Sequence, residues 1–256
     1  MNLIKLIKNL LTSKVKIDVK KLPSQGYFYN GDFEIYIKKA NINDIKEYET
    51  DYNKENLTSV LRKLKRIVEN NVILSKKYTY NHIKSIDIVF LFLEIVKLTK
   101  NKDIKIEYYN DEKSKSDYIN FESKNFNYFK IKDELFDKWN EKERLFDING
   151  YKYSLPSIGV ENSLTMYLIS KSYDKDALKY NEYNYDFTFF LGNKDVVNFD
   201  EIENLIQIFN FDIEEEEYKK IEEAILLLNP MQKYSLIKGD KVIEMSSKLN
   251  LEKIWK

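Results

Sequence analysis

The chain has no cysteine in its 256 residues. Disulfides, thiolate nucleophiles and cysteine-ligated zinc or iron–sulfur centres are therefore excluded. Histidine is nearly absent, with His82 standing alone. No nucleophile elbow accompanies it, so a structural or surface role is expected for it instead of a place in a Ser-His-Asp triad. Glycine and proline are scarce, at 6 and 3, which leaves little room for loop chemistry. The phosphate-binding, dinucleotide-binding and zinc-protease signatures are missing. No uninterrupted apolar run reaches the length of a membrane span. Lys5 and Lys8 interrupt the apolar N-terminus and no small-residue cleavage site follows, so a signal peptide is not expected. Neither sign of charge is in excess: 42 Lys+Arg balance 42 Asp+Glu. A nucleic-acid binder ordinarily carries a positive excess to release counterions, so that class is disfavoured. These absences point to a soluble, intracellular protein with no cofactor and no metal, which binds other proteins and catalyses nothing.

What is present supports a substantial core. Hydrophobic residues make up 43% and charged residues 33%, enough for one large domain or two ordinary ones. The charge is uneven along the chain. Residues 1–100 hold 19 Lys+Arg against 11 Asp+Glu (+8), and the remainder 23 against 31 (−8). Such polarity suits head-to-tail docking, or a place between partners of opposite charge, as well as it suits ordinary surface variation. Aromatics reach 14%, with 20 Tyr. They serve either interfaces or cores. Their densest run is Tyr173, Tyr180, Tyr183 and Tyr185, followed by Phe187, Phe189 and Phe190.

Periodicity predicts an α+β fold with helices, short antiparallel strands and hairpins in two helix-plus-sheet regions. Residues 2–12 read as an amphipathic helix, with Leu3, Ile4, Leu6, Ile7, Leu10 and Leu11 on one side. A helix this short is marginal alone and must pack on its own domain, in a partner's groove or on a membrane surface. Val15, Ile17 and Val19 alternate as a strand, as do Phe33, Ile35 and Ile37, with Asn30-Gly31 as a hairpin signal between them. Asn41 or Asn43 caps a helix beginning near Ile45. Residues 55–70 form a helix with one apolar stripe and a basic face of Arg62, Lys63, Lys65 and Arg66. Residues 84–99 form a helix apolar almost all round, central to the fold.

From 103 the period becomes two. Strands are expected at Ile104 and Ile106, at 118–121 and at 126–131. The pair Arg144–Ile148 and Tyr151–Leu155 flanks Asn149-Gly150, fitting a type I′ hairpin. Helices follow near 160–171, 200–210 and 214–229, with Asp200 capping the second and Pro230 stopping the third. A last short helix holds Leu249, Leu251, Ile254 and Trp255. The organisation expected is an N-terminal helix at 1–12, an α+β region at 13–110 and a hairpin-plus-helical region at 111–256.

One constellation goes further. Leu22-Pro23-Ser24-Gln25-Gly26-Tyr27-Phe28-Tyr29 precedes the strand Phe33–Ile37, then the capped helix at Asn43-Asp44-Ile45. After the basic helix comes Ile83-Lys84-Ser85-Ile86-Asp87, leading into Ile88 to Leu93. That order, over residues 19–131, resembles the baseplate hub subunit and hub-assembly proteins of T4-type contractile-tailed phages. In those proteins a Leu-Pro-Ser-x-Gly-x-x-Tyr opening precedes a helical stretch and an Asp-x-x-x-Leu-Leu helix; here the corresponding helix reads Asp87-Ile88-Val89-Phe90-Leu91-Phe92. Some members carry paired cysteines after the long helix, suggesting a zinc-binding insert. Tyr108–Phe121 has none here, so no metal role carries over. A second copy, Leu155-Pro156-Ser157-Ile158-Gly159, is either an internal duplication or chance.

The resemblance implies a non-enzymatic structural or assembly protein of the tail baseplate, located in the virion after assembly in the host cytoplasm. Its partners would be other baseplate or tail proteins, or further copies of itself. Pro23 and Gly26 would stiffen a turn that presents Tyr27, Phe28 and Tyr29 as anchors. Leu3, Ile4 and Ile7 of the N-terminal helix would add a second contact. The alternative is a nucleic-acid-binding or host-directed regulatory protein using the basic face of helix 55–70.

Overall fold

The computed structural model describes residues 14–49, 57–110, 115–122, 126–127, 133–171, 189, 192, 199–207, 213–232, 235–238, 241–244 and 249–250. The predicted N-terminal helix, with Leu3, Ile4 and Ile7, lies outside them, as does most of the Tyr-rich run. The class is α+β.

Strands β1 (Val15–Ile17), β2 (Ile35–Ile37) and β3 (Val72–Leu74) make an antiparallel sheet in that order. Alternation sends Ile17, Ile35 and Ile37 inward, where they are buried. Lys16, Tyr36 and Ile73 lie in register on the outer face. Helix α1 (Ile42–Glu49) starts on Asn41, whose side-chain oxygen accepts the Asp44 N–H at 2.9 Å. The Asp44 carboxylate accepts the Asn41 N–H in return at 3.1 Å. This reciprocal cap satisfies two of the donors that a helix start leaves open. Asn70 and Asn71 also donate to Asp44, at 2.9 and 3.0 Å, and tie α1 to helix α2 (Leu57–Asn71).

Leu64, Ile67 and Val68 bury the apolar stripe of α2, which packs against α3 (Ile88–Lys100). Seven of the thirteen α3 residues are buried, as a nearly all-round apolar helix requires. It ends at Asn101, in the left-handed region at φ 51°.

The chain then runs through β4 (Lys105–Asn110), β5 (Lys115–Asn120), β6 (Phe126–Asn127), α4 (Asp133–Phe136), β7 (Trp139–Asn140), β8 (Leu145–Ile148) and β9 (Tyr151–Tyr153). Helices α5 (Ile158–Lys171), α6 (Phe199–Gln207) and α7 (Glu215–Leu228) follow, then β10 (Ser235–Lys238), β11 (Lys241–Glu244) and β12 (Leu249–Asn250). Three further antiparallel sheets result, in the orders β12-β4-β5, β11-β10-β6 and β7-β8-β9.

Asn149 and Gly150 have φ 55° and 83°, the two positive values of a type I′ turn, and Ile148 pairs with Tyr151 across it.

Several expectations are corrected. Asn30-Gly31 is not a two-residue hairpin: Asn30 closes a turn onto Phe33, and the strands it was to join are linked by the whole segment 18–34. The central helix starts at Ile88, because residues Ser85–Asp87 wind as a 3-10 turn. Asp200 lies inside the first turn of α6 and does not cap it. Leu249, expected in a helix, pairs as a strand with Tyr108 of β4.

Two hydrophobic clusters fill the molecule. One runs from Ile17 to Phe121 and includes all the buried α3 residues. The other runs from Leu135 to Met231. They exchange a few residues: Phe28 and Ile86 belong to the later cluster, and Ile158 to the earlier one.

Candidate functional site

The exchange occurs where the two Leu-Pro-Ser turns meet the segment before α3. In the first turn, Gln25 and Gly26 adopt φ 53° and 74°. A side chain at Gly26 would be strained by that dihedral and would also press to 3.2 Å from Val19. The double reversal folds Ser24 and Tyr29 toward the same carboxylate. Asp87 accepts the Ser24 N–H at 2.8 Å, the Ser24 hydroxyl at 2.7 Å and the Tyr29 hydroxyl at 2.7 Å. The Tyr29 oxygen in turn accepts the Lys84 N–H at 2.8 Å. The Lys84 ammonium reaches Ser154 at 3.3 Å.

This network has no solvent exposure at Ser24 or Asp87 and almost none at Tyr29 and Lys84. Burial favours the neutral acid, while three donors and the nearby Lys84 favour the carboxylate. Burial prevails and pushes the Asp87 carboxyl up to about 6. A raised carboxyl is the sign an acid/base enzyme would give. Asp87, however, is fully enclosed, and its oxygens are engaged by Ser24 and Tyr29. It has no face to offer a substrate.

The second Leu-Pro-Ser turn grips the same segment from the other side. Ser85 N–H donates to Pro156 at 3.0 Å, and Ile158 N–H donates to Ile83 at 2.8 Å. Here Ser157 caps α5, its hydroxyl accepting the Val160 N–H at 3.2 Å. Ser24 docks on a carboxylate while Ser157 starts a helix. The two copies share a sequence without sharing a conformation, so the structure gives no support to an internal duplication.

The aromatic residues of the turn do not point outward as expected. Phe28 and Tyr29 are 7% and 4% exposed, Pro23 and Gly26 are buried, and only Tyr27 is half-exposed. The turn has an aromatic pattern because it feeds both cores. Tyr29 stacks on Phe33 at 4.1 Å between ring centres. Phe28 meets Trp139 at 5.3 Å and Phe146 at 6.0 Å. Arg144 donates to the Tyr27 carbonyl at 3.2 Å and clasps the turn from the residue before β8. Trp139 and Arg144 were missed as site residues; no sequence pattern ties them to a turn more than 100 positions away.

The basic face of α2 is partly engaged within the chain. Lys65 pairs with Glu161 of α5 at 2.8 Å, and the Lys63 ammonium is buried. His82 accepts the Thr79 N–H at 3.1 Å, and its ring meets the edge of Tyr78, a local structural role. Among the described residues no cluster could hold a metal ion, and no helix is long and apolar enough to cross a membrane.

No family model, curated protein or solved structure matches the chain.

Proposed function

We propose that the chain is a non-enzymatic structural or assembly protein of a contractile phage tail, acting in the baseplate hub through protein–protein contacts. One observation carries this reading. The Ser, Tyr and Asp of the two motifs that resemble the hub proteins form one buried hydrogen-bonded unit across 63 residues of sequence. Separate chance matches would have no reason to meet. A motif whose polar groups are used up internally stabilises a scaffold, and a scaffold works through its surfaces. The alternative, nucleic-acid binding by α2, gains nothing from a face that spends Lys65 on Glu161.

The test is affinity capture of the tagged protein from infected host cells, with mass spectrometry of the captured proteins and of purified virions. Tail or baseplate proteins are expected in the capture. Presence in virions would make the chain a resident subunit, and absence from them an assembly factor. Nucleic acid or host regulators with no tail protein in either sample would overturn the reading.

A further inference from the structure

Two of the six glycines follow an asparagine, at Asn30-Gly31 and Asn149-Gly150. Without a Cβ, a glycine leaves its own backbone nitrogen open to the preceding carboxamide. All four residues are exposed, so exposure does not distinguish the two places. Bonding does. Asn149 donates its carboxamide N–H to the Lys220 carbonyl of α7 at 3.2 Å. Its backbone is fixed in the two positive dihedrals of the hairpin, between the paired Ile148 and Tyr151. At the other dipeptide, neither the Asn30 carboxamide nor the Gly31 N–H makes a hydrogen bond among the described residues. A Cβ on Gly31 would meet nothing within 4 Å, so the space around it is open. The tie across this dipeptide is the turn bond from the Phe33 N–H to the Asn30 carbonyl, at 2.9 Å. On either side the chain is anchored. Tyr29 is buried on Asp87, and Asp32 accepts the Tyr78 hydroxyl at 2.6 Å and pairs with Lys77. Asn30-Gly31 is the slack between two fixed points.

We propose that Asn30-Gly31 is a site of spontaneous self-modification, and that the fold protects Asn149-Gly150 from the same reaction. The Gly31 nitrogen attacks the carboxamide carbon of Asn30. A new C–N bond forms, the C–N bond to the amide nitrogen breaks, and that nitrogen leaves as ammonia with the Gly31 proton. Water then adds to either carbonyl of the resulting succinimide and opens it to aspartate or isoaspartate. No oxidant, reductant or cofactor takes part. Reaching this geometry at Asn30 costs one turn hydrogen bond. At Asn149 it requires the hairpin turn to unwind and the bond to Lys220 to break. Either product places a second carboxylate beside Asp32. Isoaspartate also adds a methylene to the backbone ahead of Phe33, whose ring stacks on Tyr29 at 4.1 Å.

The test incubates the full chain in mildly alkaline buffer made with heavy-oxygen water, then maps its peptides by mass spectrometry. Label enters only when water opens the succinimide, so conversion during digestion is not counted. Conversion at Asn30 should run about tenfold faster than at Asn149 or more, because attack at Asn149 waits for local opening. In denaturant the two sites should react at similar rates, which shows that the fold makes the difference. Gly31→Ala fits the open space, and its methyl should slow conversion at Asn30 about tenfold while leaving Asn149 unchanged. Equal rates in the folded chain, or a faster Asn149, would overturn the proposal. So would conversion at Asn30 that is indifferent to Gly31→Ala, since the attacking atom would then not be the Gly31 nitrogen.

Discussion

Asp87 is the residue on which most of the junction depends. Asp87→Ala leaves the Ser24 N–H, the Ser24 hydroxyl and the Tyr29 hydroxyl buried without an acceptor. One unsatisfied buried donor costs roughly 1–3 kcal/mol, so a loss of about 3 kcal/mol or more is expected by chemical denaturation. Asp87→Asn keeps the shape and removes the charge, and it isolates the pH effect. The folded carboxyl sits at about 6, raised from 3.8. Its stabilising contribution is therefore fully present below about pH 4 and is lost as pH rises through 6. Relative to Asp87→Asn, the native chain should lose about 3 kcal/mol between pH 4 and 7.5, since a tenfold change in a protonation equilibrium is worth about 1.4 kcal/mol. Parallel pH profiles for the two proteins would refute this. A second residue-scale prediction concerns Gly192. A Cβ there would lie 2.4 Å from the Ser154 carbonyl oxygen, whereas at Gly31 it would meet nothing within 4 Å. Gly192→Ala should cost about 1–3 kcal/mol, as overpacking against backbone does, and Gly31→Ala should change thermal stability little.

At the scale of elements, α2 separates apolar burial from surface charge. Leu64 is fully buried, and its truncation to Ala should cost about 2–5 kcal/mol. Its neighbour Lys65 pairs with Glu161 while both side chains are about one-third exposed. A double-mutant cycle of Lys65→Ala with Glu161→Ala should give a coupling of about 0.5 kcal/mol, falling in high salt. The elements themselves were legible in the sequence where their cause is local. The Asn149-Gly150 hairpin follows from two positive dihedrals, and α3 from a surface apolar almost all round. They were not legible where the cause is distant. Leu249 in a short apolar run suits helix or strand equally, and pairing with Tyr108 decides it. The turn at 22–29 was visible as a motif, but its rings point inward because Asp87, Trp139 and Phe146 lie far along the chain. Asn30-Gly31 shows the reverse error: a strong local signal, with its strands joined by a longer excursion.

At the scale of the molecule, the two cores are joined by their exchanged residues. Phe28 leaves the first segment to pack on Trp139 and Phe146, and Ile158 returns to the first cluster. Between them lies the Asp87 network. This arrangement makes the clusters unfold together, because neither can open without exposing part of the other's apolar surface. A single denaturation transition is expected, the same by far-ultraviolet dichroism and by tryptophan fluorescence, measured in a Trp255→Phe background so that Trp139 reports from the second cluster. Phe28→Ala with Ile86→Ala removes the two buried side chains that the first segment contributes to the second core, 7% and 8% exposed as they are, and leaves the half-exposed Tyr27 in place. Truncation should cost several kcal/mol, but the informative result is its distribution. The fluorescence midpoint should fall further than the dichroism midpoint, splitting one transition into two. If both midpoints fall together, the cores are held as one body by contacts other than the exchanged residues, and the Lys84–Ser157 bridge and the β12–β4 pairing become the connections to test.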